Sequence, residues 1–210
     1  MNDKIDNPGA DSELHGQSDR RVRSDAKRSN DALLRAAMIV FKTSGVDAPV
    51  REIAEKAGVG VGTVYRHFPQ RSDLIVAVVS QEVDACVDAA EEFAANYAPG
   101  EALARWMQRY ADLIATKRGL AAALHSGDPA YENLPAYFEK RLNLVLAALL
   151  ETAAAAGEVL AEVEPDDLLR AAASLCTVAR NDDPEPARQM VALLVDGLRY
   201  RAASSTNPLP

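Results

Sequence analysis

Apolar residues recur every three or four positions along most of the chain, which is the spacing of an amphipathic helix. In the first such segment, from about residue 25 to residue 43, Leu33, Ala37 and Phe41 fall on one face, and Gly45 follows as a stop. No segment alternates strictly, as a β-strand does. The pattern predicts an all-α chain of about nine helices. The later ones are expected at 50–57, 60–68, 72–95, 101–116, 117–125 and 134–156, then from Pro165 onward and from Asp183 to about Arg201. Ser72 is the expected cap of the helix at 72–95.

Two of the predicted helices are short and lie on either side of a glycine turn, within residues 49–68. Ala54 is small enough to let the two helix backbones cross closely, and Gly58 can adopt the positive φ of a tight turn. The apolar residues expected to hold the pair together are Ile53, Ala57, Val59, Val64 and Phe68. The segment is thus predicted to be a helix-turn-helix, whose second helix enters the major groove of DNA.

The second of these short helices has a distinctive outer surface. At ~100° per residue, with Val64 turned toward the core, Gly62 and Arg66 point away from it. Arg66 is therefore the expected contact to a base edge, most simply guanine, and Gly62 has no side chain to hold the helix off the DNA. Val61 faces either a thymine methyl group or the core. The expected contacts to the phosphate backbone, which set the register on DNA, are Arg51, Thr63, Tyr65, His67 and Arg71.

Charge is distributed unevenly along the chain. The net charge is −8, but residues 20–75 carry +5, between a segment of −4 (residues 1–19) and one of −9 (residues 76–210). The basic block coincides with the predicted helix-turn-helix. Because affinity for DNA depends on local positive charge facing the phosphates, the acidic total does not exclude DNA binding. A basic face that is merely solvated would have the same charges.

Residues 53–69 resemble the signature of TetR/AcrR-family regulators; they read IAEKAGVGVGTVYRHFP, and Arg71, Asp73 and Leu74 follow. The resemblance extends over roughly residues 25–86. It implies a three-helix DNA-binding domain on a larger helical domain that dimerises and often holds an inducer. The family usually has lysine at position 71 and often a polar or basic residue at position 61. The positions that the resemblance marks as DNA contacts are Thr63, Tyr65, His67 and Arg71.

The C-terminal part resembles an SbtR-like subgroup of that family, from Trp106 to Leu124. The expected organisation is a disordered arm (1–22), a DNA-binding domain (23–80), a helical dimerisation and effector-binding domain (81–202) and a flexible tail (203–210).

An effector cavity is expected where the aromatic and polarisable residues of the larger domain concentrate. Ordinary core packing explains each of them as well, and a buried Trp106 or Tyr110 needs a hydrogen-bond partner. An effector would favour a dimer whose DNA-reading helices no longer match the operator spacing. The candidate effector-site residues are Leu103, Trp106, Met107, Tyr110, Leu124, His125, Tyr131, Tyr137 and Phe138.

The last two predicted helices carry apolar stripes, which are the expected dimer interface. The resemblance implies the same, and a dimer would read paired half-sites ~34–36 Å apart. Packing within one protomer explains the stripes equally well. The candidate interface residues are Leu168, Leu169, Ala172, Leu175, Cys176, Met190, Val191, Leu194 and Leu198.

The predicted function is that of a regulator, by family default a repressor, that binds palindromic operator DNA as a homodimer and responds to a small effector. Control by a protein partner is an open alternative. An enzyme is disfavoured because His15, His67 and His125 are scattered and no cofactor or metal motif is present. A non-specific architectural DNA binder would require a more basic chain.

The cellular location is expected to be the cytoplasm. Charged residues interrupt every apolar run that could span a membrane, and the N-terminal residues are too polar for a signal peptide. Cys86 and Cys176 are expected to be reduced thiols that pack as small apolar side chains.

Overall fold

A computed structural model describes residues 29–118, 120–160, 162–178 and 184–206. In these ranges the chain forms nine α-helices and one short 3₁₀ helix, and no strand, which confirms the all-α prediction. The α-helices are α1 (29–44), α2 (Val50–Ala57), α3 (Val61–His67), α4 (Arg71–Asn96), α5 (Pro99–Arg118), α6 (Ala121–Leu124), α7 (Leu134–Ala155), α8 (Pro165–Val178) and α9 (Glu185–Thr206).

Helix ends differ from the predicted ones at the start of α4 and around residues 117–131. Ser72 does not cap α4; it is buried inside the first turn, and the backbone N–H of Gln70 instead donates to the Asp73 carboxylate over 2.9 Å. The predicted helix at 117–125 shrinks to α6, and a 3₁₀ turn at Pro129–Tyr131 was not predicted. That turn forms because Asp128 accepts a hydrogen bond from the backbone N–H of Ala130.

The two chain ends bear on the predicted arm and tail. The arm at 1–22 lies outside the described residues. At the other end, α9 continues to Thr206, so the first four residues of the predicted tail are helical. None of the helices among the described residues is long and apolar enough to cross a membrane.

The first three helices share one hydrophobic core with the start of α4. Leu33 and Phe41 of α1, Ile53 of α2, Val64 of α3 and Leu74 of α4 are all nearly inaccessible to solvent. Each such side chain contributes roughly 1.5–3 kcal/mol by leaving water. Because Val64 is the buried residue of α3, this helix is held to the core through one face and the rest of it lies at the surface.

The rest of the molecule, which we call the body, is built around α5. This helix contacts α4, α7, α8 and α9. Its first turn is anchored by Glu158, whose carboxylate accepts a hydrogen bond of 2.7 Å from the backbone N–H of Gly100. A side chain at Gly100 would collide with that carboxylate, since an added Cβ would lie 2.6 Å from its oxygen.

Ion pairs join α4 and α9 to their neighbours in the body. Arg109 of α5 pairs with Glu82 of α4 at 3.5 Å, and Arg188 of α9 pairs with Asp112 of α5 at 2.7 Å. These pairs are partly exposed, so they contribute less to stability than the apolar core beneath them.

Candidate nucleic-acid interface

The turn between α2 and α3 has the geometry that its sequence predicts. Gly58 ends α2 with φ of +70°, a conformation that costs glycine little because it has no Cβ. The next residue, Val59, closes the turn by donating from its backbone N–H to the Ala54 carbonyl over 3.0 Å. Ile53 and Ala54 are buried where the two helices cross. The helix-turn-helix prediction is thereby confirmed at the level of backbone and packing.

The outer face of α3 is exposed around one buried anchor, Val64. Gly62, Arg66 and His67 are exposed, as is Tyr65, whose side chain is 53% accessible. The structure therefore brings the predicted base-reading and phosphate-binding residues of α3 together on one surface. Val61, for which two orientations were open, is 38% exposed and joins that surface, while Thr63 lies at its half-buried edge.

Arg66 is held against its own helix. Its Nε donates to the Gly62 carbonyl over 3.2 Å, and its Nη2 donates to the Thr63 hydroxyl over 3.1 Å. The sequence predicts separate roles for Thr63 and Arg66 and not this contact, although their i, i+3 spacing permits it. The guanidinium is thus aligned along the exposed face of α3.

An added side chain at Gly62 would meet no atom within 4 Å. The position is therefore open at the scale of a methyl group, which agrees with the idea that glycine permits close approach.

The two flanking arginines differ in environment. Arg51, in the first turn of α2, is exposed and pairs with Glu55 over 2.9 Å. Arg71, at the start of α4, is half-buried, and its guanidinium donates to the backbone carbonyls of Val46 and Ala48. The guanidinium of Arg51 is therefore paired with a side chain at the surface, whereas Nε and Nη2 of Arg71 are taken up by backbone carbonyls.

The candidate effector-site residues fall into two groups. Tyr137 and His125 are exposed and Leu124 is half-buried. The others are buried in the hydrophobic core of the body: Leu103, Trp106, Met107, Tyr110, Tyr131 and Phe138. The structure therefore does not bring the nine residues around one space.

The side chains of Trp106 and Tyr110 donate hydrogen bonds to backbone carbonyls. The indole N–H of Trp106 donates to the Cys86 carbonyl over 2.9 Å, and the Tyr110 hydroxyl donates to the Leu169 carbonyl over 3.3 Å. Their rings stack, with centroids 6.0 Å apart. Burial raises the pKa of the Tyr110 phenol far above its usual range and that of the Cys86 thiol to about 12, so both groups are neutral. These contacts are those of a packed, satisfied core.

The candidate dimer residues are also divided. Leu168, Leu169, Ala172, Cys176 and Val191 are buried within a single protomer, so for these the structure favours intramolecular packing over the interface expected from the stripes. Leu175, Leu194 and Leu198 are half-buried.

The exposed apolar surface of α9 is formed by one predicted interface residue and one further residue. The predicted one, Met190, is 43% exposed, and Leu193, which the stripe does not include, is 62% exposed. Leu193 lies three residues after Met190 and therefore on the same face of α9. That spacing was the signal that could have found it.

Two family models match the chain. Residues 33–78 match the model described as bacterial regulatory proteins, tetR family, and residues 98–200 match the model described as the C-terminal domain of SbtR-like transcriptional regulators. The first match contains the helix-turn-helix, and the second contains most of the body.

Individual relatives agree with these models. The crystal structure of a TetR transcriptional regulator from Streptomyces coelicolor is 37% identical, with a TM-score of 0.70 over 80% of this chain and 97% of that chain. FadR from Bacillus subtilis, solved in complex with stearoyl-CoA, is 20% identical, with a TM-score of 0.58 over 80% of this chain and 98% of that chain, and is similar in fold.

An HTH-type transcriptional regulator of Staphylococcus aureus is 36% identical over 64 residues, which are 30% of this chain and 35% of that relative. This match spans only about a third of the curated relative. The Streptomyces structure, in contrast, matches over nearly its whole length. With its helix-turn-helix and its SbtR-like C-terminal domain, the chain belongs to the TetR family of bacterial transcriptional regulators.

Proposed function

We propose that this regulator binds palindromic operator DNA as a homodimer, with α3 of each protomer in the major groove, and that it represses transcription until a small effector releases it. The observation that carries the proposal is the exposed face of α3, where Tyr65 and Arg66 surround the open position at Gly62. A short helix anchored by one buried residue and open on its remaining sides has the form of a DNA-reading element.

Each residue of this face is assigned a role by its chemistry. Arg66 donates to a guanine edge. On binding, its guanidinium either gives up its hydrogen bond to the Thr63 hydroxyl or keeps that hydroxyl as a support. Val61 contacts a thymine methyl group. The phosphate contacts, which position the protein without reading sequence, are Arg51, Thr63, Tyr65 and His67.

The experiment that tests this function is selection from a random-duplex DNA library with the purified chain at two salt concentrations. We expect a palindrome whose half-sites lie about one helical turn apart and an affinity that falls as salt rises. Enrichment of no sequence, with binding retained, would indicate an architectural DNA binder. No binding at either salt concentration would contradict the proposal.

The homodimer is proposed to form through the exposed face of α9, where Met190 and Leu193 leave apolar surface uncovered. A Leu193→Glu substitution places a charge in that interface and should convert the dimer to a monomer, as measured by light scattering. Leu144→Glu is the matched control, because Leu144 is equally exposed on α7, outside the proposed interface. A Leu193→Glu protein that stays dimeric would contradict this assignment.

Release of the protein from DNA by an effector is supported by a structure of the same fold from another bacterium. The Bacillus subtilis regulator of the same fold was solved with stearoyl-CoA, so this compound is the first probe for release of the selected duplex. Because most of the candidate effector-site residues are already packed in the core, a ligand would have to displace side chains in the body. Failure of small ligands to release DNA would favour control by a protein partner.

A further inference from the structure

The side chain of Arg71 joins three parts of the DNA-binding region. It is the first residue of α4, and its Nε and Nη2 both donate to the Val46 carbonyl, the former over 2.5 Å, while Nη2 also donates to the Ala48 carbonyl over 2.6 Å. Its guanidinium carbon lies 5.7 Å from the centre of the Phe41 ring. One cation therefore contacts α1, the turn between α1 and α2, and the start of α4.

The turn that Arg71 holds determines where α2 begins. It opens at Gly45, with φ of +81°, and is closed by a hydrogen bond of 3.2 Å from the backbone N–H of Ala48 to the Gly45 carbonyl. Pro49 then caps α2 without a side-chain hydrogen bond. Since Ala48 is buried, leaving its carbonyl without a donor would be costly. The guanidinium satisfies this carbonyl and fixes the entry of α2.

Arg71 also borders the second half of the helix-turn-helix. With Tyr65 and Phe68 it lines a cleft of about 210 Å³ between α2, α3 and α4. Arg71 therefore borders the helix that carries the predicted DNA-reading residues.

The same contacts occupy the part of the guanidinium that would grip a phosphate. The edge formed by Nε and one Nη is a fork with which arginine donates two parallel hydrogen bonds to an anion. In Arg71 this edge faces backbone carbonyls, whereas the exposed Arg51 has a surface carboxylate as its partner.

We propose that Arg71 is a positioning residue for DNA recognition: it fastens the α1–α2 turn to the start of α4 and so sets the placement of the reading helices, without itself binding phosphate. This inference rests on the proposed DNA-binding function, and it replaces the phosphate contact that the sequence predicted for Arg71.

The test compares the salt dependence of binding in Arg71→Gln and Arg51→Gln, using the duplex enriched by the wild-type chain. Each phosphate contact contributes about 0.9 to the slope of log affinity against log salt. Arg51→Gln should lower the slope by about that amount. Arg71→Gln should keep the wild-type slope and weaken binding about tenfold at every salt concentration, through loss of charge-assisted hydrogen bonds.

Arg71→Lys separates charge from geometry. Lysine keeps the positive charge but lacks the planar fork that spans two carbonyls, so this variant should bind about as weakly as Arg71→Gln. A slope that falls in Arg71→Gln as it does in Arg51→Gln, with wild-type affinity restored in Arg71→Lys, would overturn the inference and return Arg71 to the phosphate contacts.

Hydrogen exchange in the free chain is a second test of the proposal, and it needs no DNA. In both Arg71 variants, the amides of residues 45–48 and of Val50 should exchange about tenfold faster, while those of α8 keep their wild-type rates. Unchanged exchange in the turn, or acceleration throughout the chain, would contradict a local positioning role. If the wild-type chain enriches no duplex, the proposed function fails. The hydrogen-exchange measurement still decides whether Arg71 holds the turn.

Discussion

The reading helix α3 and the body helix α5 place their distinctive side chains in opposite environments. On α3, Tyr65 and Arg66 stand at the surface around one buried valine. On α5, Trp106 and Tyr110 are enclosed, and their polar atoms bond to backbone. Aromatic and hydrogen-bonding residues thus lie at an exposed surface in one region and in a core in the other. Aromatic and hydrogen-bonding residues therefore indicate a binding site only when packing leaves them exposed.

The largest effect is expected in the body, at the buried ring of Trp106. Trp106→Ala removes a fully buried ring and its hydrogen bond to Cys86, and should lower the free energy of unfolding by about 3–5 kcal/mol. Tyr137→Ala is the matched control, because Tyr137 is 56% exposed and its loss should cost below about 1 kcal/mol. Denaturant unfolding followed by circular dichroism measures both. A well-tolerated Trp106→Ala would show that Trp106 borders a cavity and would reverse our interpretation.

A smaller effect is expected on the reading side, from Tyr65→Phe. Loss of one phosphate hydrogen bond should weaken binding to every duplex alike, by about threefold to tenfold, with no change in melting temperature. Fluorescence anisotropy with the selected duplex and a scrambled one measures this. Tyr97→Phe, at an exposed tyrosine that ends α4, should leave both affinities unchanged. A changed ranking of sequences in Tyr65→Phe would instead make Tyr65 a base-reading residue.

The smallest effect is expected at Gly62, where stability and DNA binding should change in opposite directions. Gly62→Ala adds a methyl group into open space within α3, so stability should rise by about 0.5–1 kcal/mol, the helix preference of alanine over glycine. The same methyl group stands between α3 and the groove and should weaken DNA binding. Thermal unfolding and anisotropy on one preparation give both values. Binding that strengthens along with stability would mean that α3 does not approach DNA at Gly62.

Much of the helix-turn-helix could be predicted because its constraints are local. Gly58 marks the turn, Val64 fixes which face of α3 is buried, and spacing at about 100° per residue then places Arg66 outside. What the sequence could not supply were contacts between residues distant along the chain. The bonds from Arg71 to Val46 and Ala48 depend on how α4 packs against the α1–α2 turn.

The body was predicted less well because apolar stripes do not say what they face. Leu169 and Val191 carry the same pattern whether they pack within a protomer or between two, and the structure buries both within one. Leu193 shares a face of α9 with Met190 by its spacing, but only the packing of α9 against α5 shows that this face is exposed. Tyr137 was grouped with its buried neighbour Phe138 by composition, but adjacent residues on a helix point in different directions.

The central claim is that the exposed face of α3 reads the DNA sequence, and the most direct test is library selection repeated with Arg66→Ala beside the wild type. We expect the variant to stay folded and dimeric but to lose preference at one base pair in each half-site, where a good arginine–guanine pair supplies about 1–3 kcal/mol of discrimination. Recovery of the wild-type motif at full strength would contradict the central claim and would show that sequence is read elsewhere on the protein.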